Sequence, residues 1–322
     1  MFSFAILLIL SGCNSPGETP EQSAHDKQYE YALVIHGGAG YATPEKLGAE
    51  GVKAYEMAMD SALQIGLELL SNGGSSLDAV ENVIVYLEDN PLFNAGKGAV
   101  YTSEGKVELD ASIMNGANLN AGALTGVEQV KNPIRAARAV MENSVHVMFS
   151  GHGATEFAKL QGLDIVDPEY FQTEKSKKEK EASKDKFGTV GCVALDREGN
   201  LAAGTSTGGI MNKKHGRVGD VPVIGAGTYA KNGVAGISCT GQGEFFIRVS
   251  AAHEVVSLMN YKDYSAEEAA KSVIFEQLKP FDANGGMIVL DPGGNVAMEF
   301  NTSAMYRAYG NSDGDKIVAI FK

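Results

Sequence analysis

The sequence has no tryptophan and only three cysteines. An odd count makes no closed disulfide framework, so burial must hold the chain together. Cys192 and Cys239 sit in apolar, strand-like runs and read as small buried hydrophobes. Histidine is scarce: six scattered residues, with no HExxH or CxxC, argue against a catalytic transition metal. Positive charge is in short supply too. With 27 Lys and Arg against 40 Asp and Glu, the formal net charge is -13, which would repel phosphate backbones and anionic lipid and disfavours a nucleic-acid partner. A small uncharged or zwitterionic substrate suits such a chain better. Glycine is plentiful, at 39 residues, and with 44% hydrophobic and 21% charged residues the composition is that of a glycine-rich globular protein. The 322 residues could build one large domain or two ordinary ones.

The opening MFSFAILLILSGC is an apolar run too short to span a bilayer, followed by small residues and Cys13. That is how a secretory signal reads, here over residues 1–13. LSGC also resembles the bacterial lipobox, which would make Cys13 the lipidated first residue of a periplasmic, membrane-anchored lipoprotein. The departure from that pattern is the absence of Lys or Arg before the apolar stretch. Residues 14–28 are polar, contain proline and lack periodicity, as expected of a flexible tether.

The folded unit then spans 29–322. The apolar run Tyr31 to Gly38 predicts a buried strand entering a tight loop. From Val52 the apolar spacing changes to threes and fours, predicting an amphipathic helix that stops near Asn72, and a second helix starts near Ser76. Ile134 to Met141 and Thr155 to Leu160 predict two more. Residues 173–188, TEKSKKEKEASKDKFG, are ten-sixteenths charged and predict a linker without packed structure. Beyond it strands are expected at Thr189 to Asp196, Leu201 to Gly209, Gly233 to Gly241, Gly285 to Asp291, Val296 to Asn301 and Lys316 to Phe321, with hairpin turns at DREGN and DPGGN. Helices are expected at Glu244 to Met259 and Ala266 to Leu278. Helices mainly before and strands mainly after give an α+β chain with a mostly antiparallel sheet.

The informative join is FGTVG, where a linker that cannot pack meets a strand that must. Threonine is a weak nucleophile until a neighbouring base takes its proton, and an N-terminal α-amine, with a pKa near ~8, is such a base. That amine exists at Thr189 only if the Gly188–Thr189 bond is broken. Gly188, lacking Cβ, could adopt strained torsions there and admit attack by the neighbouring hydroxyl, giving an ester that water opens.

Seven ordered segments extend this reading: HGGAG (36–40), PLFNAGKGAV (91–100), ELDASIMNG (108–116), GTVGCVALD, LAAGTSTGG, GRVGDVPVIGAGTYA (216–230) and SCTGQGE (238–244). Together they resemble the plant-type L-asparaginase and isoaspartyl peptidase family of N-terminal-nucleophile hydrolases, from about Ala32 to Tyr309. The resemblance implies a four-layer αββα sandwich, autoprocessed into an α subunit (29–188) and a β subunit (189–322), associating as a heterodimer and as a dimer of heterodimers. It implies hydrolysis of isoaspartyl peptides and L-asparagine with release of L-aspartate.

Residue by residue, the resemblance implies Thr189 as nucleophile, freed by cleavage after Gly188. Thr207 would hydrogen-bond the nucleophile and its amine, and Asn94 would act near the scissile bond in self-cleavage. Arg217 would clamp the substrate α-carboxylate, a task suited to a two-donor guanidinium, and Asp220 would accept its α-ammonium. Thr240 and Gly241 would form the oxyanion hole, where losing one donor costs ~3 kcal/mol. Gly243 would offer a backbone contact to the substrate amine. His36 invites a general-base reading, but in this family the threonine amine supplies the base and HGGAG serves loop architecture. A loop that wraps sodium with main-chain carbonyls is implied at Leu87, Glu88, Asn90, Phe93, Ala95 and Lys97. No cofactor is required for the chemistry. Two rivals remain: a glycosylasparaginase, which shares the core and the GTST and GRVGD motifs, and an uncleaved envelope lipoprotein that binds amino acids without turnover.

Overall fold

The run at Tyr31 to Gly38 forms strand β1 (Ala32–Gly40), buried along all but its last residue. It is buried on both faces because it lies inside an eight-stranded sheet covered by helices on one side and by a second sheet on the other. The computed structural model describes residues 29–181 and 188–322. The signal, Cys13 and tether readings, and residues 182–187 of the charged linker, lie outside the described residues.

The large sheet also contains β2 (Leu109–Asn115), β3 (Ala121–Val127), β4 (Met148–Ser150), β5 (Val190–Leu195), β6 (Leu201–Thr207), β11 (Ala304–Asn311) and β12 (Lys316–Phe321), in the order β12-β11-β1-β5-β6-β2-β3-β4. The second sheet contains β7 (Thr228–Lys231), β8 (Ala235–Gly241), β9 (Gly285–Leu290) and β10 (Val296–Phe300), in the order β10-β9-β8-β7. All named pairs are antiparallel except β3 with β4. DREGN and DPGGN make the expected hairpins, β5 to β6 and β9 to β10.

Period-two alternation sorts the side chains. Leu33 and Ile35 of β1 point outward onto α1 (Pro44–Ser71) and α2 (Ser76–Asp89), meeting Met59, Leu63, Val80 and Ile84. Ile237 and Cys239 of β8 point the opposite way, onto α6 (Gly243–Val249), α7 (Ala251–Lys262) and α8 (Ala266–Lys271), meeting Phe246, Val255 and Ala270. Val34, Val193, Leu201 and Ala203 fill the space between the sheets against Ile288 and Leu290. The layers therefore run helix, sheet, sheet, helix. Truncating an interior residue such as Ile84 to alanine would cost about 2–5 kcal/mol. Cys192 and Cys239 are free and buried, as small hydrophobes.

Several expectations need correction. The helix foreseen from Val52 begins at Pro44, where Thr43 accepts from Lys46 N, but Gly48 (φ 67°, ψ 167°) interrupts its first turn. The single helix foreseen over Glu244 to Met259 is split by Ser250 in the left-handed region (φ 51°). Part of the linker expected to lack structure is helix α5 (Glu174–Glu181), started by mutual bonds between Thr173 and Ser176 and supported by Glu174–Lys177. Strands lie mainly after the linker, as expected, but β2, β3 and β4 precede it at positions not foreseen as strands. Two remaining helices, α3 (Pro133–Asn143) and α4 (Gly151–Leu160), start within four residues of the expected positions.

Candidate active site

Followed toward one end, the inner faces of both sheets change from apolar to polar. On β5 and β6, Val193 and Ala203 give way to Gly191, Thr189, Thr205 and Thr207; on β1, Val34 gives way to His36; on β8, Gly236 gives way to Ser238 and Thr240. Strand register pairs Asp110 with Thr207 and Ser112 with Thr205. The polar end of the intersheet layer is the candidate site.

At its centre lies the Gly188–Thr189 peptide. The Gly188 carbonyl accepts three hydrogen bonds, from Asn94 Nδ2 at 2.8 Å, Thr207 Oγ1 at 2.9 Å and Thr189 Oγ1 at 2.7 Å. Thr189 and Thr207 hydroxyls lie 3.2 Å apart. Asn94 is held in turn by Val100 N, which donates to its Oδ1, while its Nδ2 also reaches Gly209 O. Thr189 itself is buried.

The HGGAG segment crosses directly above this bond. Gly38 has φ +105°, and a Cβ there would stand 2.9 Å from Thr189 N and 3.0 Å from Gly188 Cα. The next residue, Ala39, donates its N–H to Thr240 Oγ1 at 3.1 Å, so the loop ties the Thr189 and Thr240 strands together. A Cβ on Gly188, by contrast, would meet only Asn94 Cβ at 3.4 Å. The glycine beside this bond that tolerates no side chain is Gly38.

His36 lies at the same end with its Nδ1 3.2 Å from Thr189 O and its Nε2 2.9 Å from Ser238 Oγ. Complete burial pushes its imidazole down to about 3, so it is neutral at physiological pH. It contacts the Thr189 carbonyl, not the Thr189 hydroxyl.

Arg217 and Asp220 are both at the site but are not each other's hydrogen-bond partners. Arg217 instead makes a fork with Glu244, Nε to Oε1 at 2.8 Å and Nη2 to Oε2 at 2.9 Å. Asp220 is buried with no partner for Oδ2, and desolvation lifts its carboxyl to about 6 against the pull of Arg217. Asp110, opposite Thr207, likewise has an unpartnered buried oxygen. A Cβ at Gly243 would stand 2.6 Å from Asp220 Oδ1. A side chain at that position would therefore meet Asp220 first. Gly241, at φ 154°, faces Asn284 O and Gly285 across β9.

Sequence reasoning overlooked Glu244, Asp110 and Lys213. Lys213 is buried, donates to Glu108 O at 3.0 Å and would be 3.3 Å from a Cβ on Gly209. Buried Glu88, whose carboxyl desolvation lifts to about 8, accepts from Ser206 Oγ and Ile134 N and so anchors the residue beside Thr207. An acidic or basic residue inside a glycine-rich motif was the available signal.

Among the described residues no group of three or more His, Cys, Asp or Glu gathers to hold a metal. The 87–97 loop is different in kind: it is drawn so tight that a Cβ on Gly96 would lie 2.4 Å from Glu88 O and one on Gly98 2.1 Å from Phe93 O. Neutral main-chain oxygens of this sort suit a hard monovalent cation.

Known proteins have similar sequences. The asparaginase family profile matches residues 29–184 and 175–320. An isoaspartyl peptidase of Escherichia coli is 44% identical over 307 residues, covering 90% of this chain and 96% of its own. A plant-type L-asparaginase of Pyrococcus horikoshii is 44% identical over 302 residues (86% and 95%), and an isoaspartyl peptidase/L-asparaginase of Bos taurus is 40% identical over 285 (85% and 91%). With the match running over nearly the whole folded unit, the chain belongs to the asparaginase family.

Proposed function

We propose that this chain is an N-terminal threonine amidohydrolase that cuts itself between Gly188 and Thr189 and then hydrolyses isoaspartyl peptides and L-asparagine, releasing L-aspartate. The observation that carries it is the Gly188 carbonyl with three donors on its oxygen. Attack by Thr189 Oγ1 on that carbonyl carbon puts negative charge on the oxygen. Asn94 and Thr207 are already aimed at it, which is how an oxyanion is stabilised without reorganisation. The hydroxyl proton goes to the departing Thr189 nitrogen, leaving an ester and an amine. Water then opens the ester, giving a Gly188 carboxylate and a Thr189 that carries both nucleophile and base.

In the cleaved enzyme the substrate α-carboxylate binds Arg217, which exchanges or shares its Glu244 fork, and the α-ammonium binds the unpartnered oxygen of Asp220. Thr189 Oγ1 attacks the side-chain amide carbonyl, and Thr240 and the Gly241 N–H receive its oxygen. The departing amine takes a proton from the Thr189 ammonium, and water releases aspartate. The relatives' names, isoaspartyl peptidase and L-asparaginase, support this substrate class over glycosylasparagine.

A sodium ion held by the carbonyls of Leu87, Glu88, Asn90, Phe93, Ala95 and Lys97 would stiffen the loop that carries Asn94. Pairing of αβ units into a dimer, and envelope placement through a lipid on Cys13, complete the reading. Palmitate labelling lost in Cys13→Ala checks the last.

The deciding test is intact mass spectrometry with N-terminal sequencing, followed by aspartate release from a β-aspartyl dipeptide. Two fragments, one beginning TVGCVALD, are expected, together with turnover. An unbroken chain that releases no aspartate would overturn the reading.

A further inference from the structure

The space between the sheets holds a row of hydrogen bonds that neither step above uses. His36, Ser238, Thr205, Thr228 and Ser112 are all fully buried. From Thr189 O to His36 Nδ1 is 3.2 Å, and His36 Nε2 to Ser238 Oγ is 2.9 Å. Ser238 to Thr205 is 2.7 Å, Thr205 to Thr228 is 2.5 Å and Thr228 to Ser112 is 2.8 Å, all between hydroxyls. Ser112 Oγ ends the row on Val221 O at 2.6 Å. One longer branch leaves it, from Thr205 to Gly227 O at 3.3 Å. The row thus begins on the nucleophile's own carbonyl and ends on the residue after Asp220.

Both ends of the row are carbonyls, which only accept. Its six contacts need six protons, whereas a neutral imidazole brings one and four hydroxyls bring four. One contact is always short of a proton, so the direction of each hydroxyl depends on all the others. If Thr228 lost its hydroxyl, the deficit would vanish: Thr205, Ser238 and His36 could all point toward Thr189 O, and Ser112 toward Val221 O. The intact row therefore contributes little that the cut one would lack in satisfied bonds. What it adds is connection.

We propose that His36, Ser238, Thr205, Thr228 and Ser112 are positioning residues that act as one unit, fixing the Thr189 main chain relative to the loop that carries Arg217 and Asp220. This rests on the roles given above to Thr189, Arg217 and Asp220. A substrate held by its α-groups at one end must present its amide carbonyl to Thr189 at the other. A 1 Å error between the two ends costs about 100-fold in rate.

The test uses the full chain carrying Thr228→Val, Thr228→Ser, Ser112→Ala or the double variant Ser112→Ala/Thr228→Val. Melting temperature, self-cleavage by intact mass, and kcat and KM on a β-aspartyl dipeptide are measured for each. Thr228→Val, which keeps the shape, is expected to melt close to the wild type while losing about tenfold or more in kcat/KM and cleaving itself more slowly. Thr228→Ser should recover most of the loss. The double variant should be no slower than the slower single, as expected of groups that act as a unit. Wild-type kinetics in Thr228→Val, losses that multiply in the double variant, or a lower melting temperature with kcat/KM per folded molecule unchanged would each overturn the proposal. Should Thr228→Val fail to fold, Ser112→Ala and Thr228→Ser give the same comparison. If the wild type released no aspartate, the proposed function would fail first, and the self-cleavage rates would still report on the row.

Discussion

Asn94 Nδ2 donates to the Gly188 carbonyl at 2.8 Å across ninety-four residues of sequence, and the same amide nitrogen reaches Gly209 O at 2.7 Å. The contact links the 87–97 loop to the Gly188–Thr189 peptide bond. The donor is held in place before reaction begins, because Val100 N fixes the other end of the amide.

Asn94→Ala removes one of the two donors, Asn94 and Thr207, from the oxygen that the proposed self-cleavage makes negative. Self-cleavage is expected to slow by about 10²–10³-fold, or ~3 kcal/mol in the barrier. A time course of intact mass after purification measures it. Asn94→Asp should be as slow, since a carboxylate there accepts rather than donates.

Gly38→Ala is expected to stop self-cleavage. Its φ of +105° is closed to alanine, and the new Cβ would press on Thr189 N at 2.9 Å. Gly48→Ala is the control for strain alone: it has φ +67° with nothing within 4 Å, so it should cost about 1–2 kcal/mol of stability and leave self-cleavage intact. Parallel thermal melts and denaturing gels separate the two effects. Equal self-cleavage in both variants would remove the HGGAG loop from the reaction.

Much of the fold was legible because buried strands of a covered sheet are continuous apolar runs, as β1, β5 and β9 are. The strands that escaped notice do not read that way. β3, AGALTGV, is built of small residues, and β11 contains Arg307, whose guanidinium donates to Met305 O and Phe321 O and stacks over Phe300. The site residues were recognisable as motif positions, but their partners were not. Nothing local joins Arg217 to Glu244, or His36 to Ser238: the first contact is between the loop before β7 and helix α6, the second between the facing sheets that hold β1 and β8. The hydroxyl row could have been suspected from period-two spacing in LAAGTST and GISCTG, where each chain places its hydroxyls on the face that is apolar further along.

Asp220 is expected to give the pH profile an acid limb. Its carboxyl, lifted to about 6 by burial, accepts an α-ammonium only when ionised. Lowering the pH through about 6 protonates it in the free enzyme, so kcat/KM on a β-aspartyl dipeptide should fall as pH falls, with KM rising before kcat changes. The sign is opposite to that of a loss at high pH, which would report a group that must stay protonated. In Asp220→Asn the inflection near 6 should disappear, leaving a low kcat/KM whose remaining fall toward acid belongs to the Thr189 amine; a wild-type profile with no inflection near 6 would remove Asp220 from ammonium binding.

Arg217→Lys tests the clamp without removing its charge. Glu244 holds the guanidinium in a two-pronged fork at 2.8 and 2.9 Å, the geometry that a substrate carboxylate would adopt in its place. A lysine supplies a point charge on a flexible stem and makes one such bond at a time. KM for L-asparagine and for β-aspartyl dipeptides is expected to rise about tenfold, the ~1.4 kcal/mol of one lost charged bond, with kcat less affected. Self-cleavage should proceed at the wild-type rate, because Arg217 makes no contact with Gly188 or Thr189 in the hydrogen-bond network that surrounds the scissile bond. An N-blocked, C-amidated asparagine analogue sharpens the comparison. It lacks the α-carboxylate, so the wild type and Arg217→Lys should handle it alike, whereas free asparagine should tell them apart. An equal difference between the two enzymes on both compounds would mean that Arg217 shapes the pocket through Glu244 and does not meet the carboxylate.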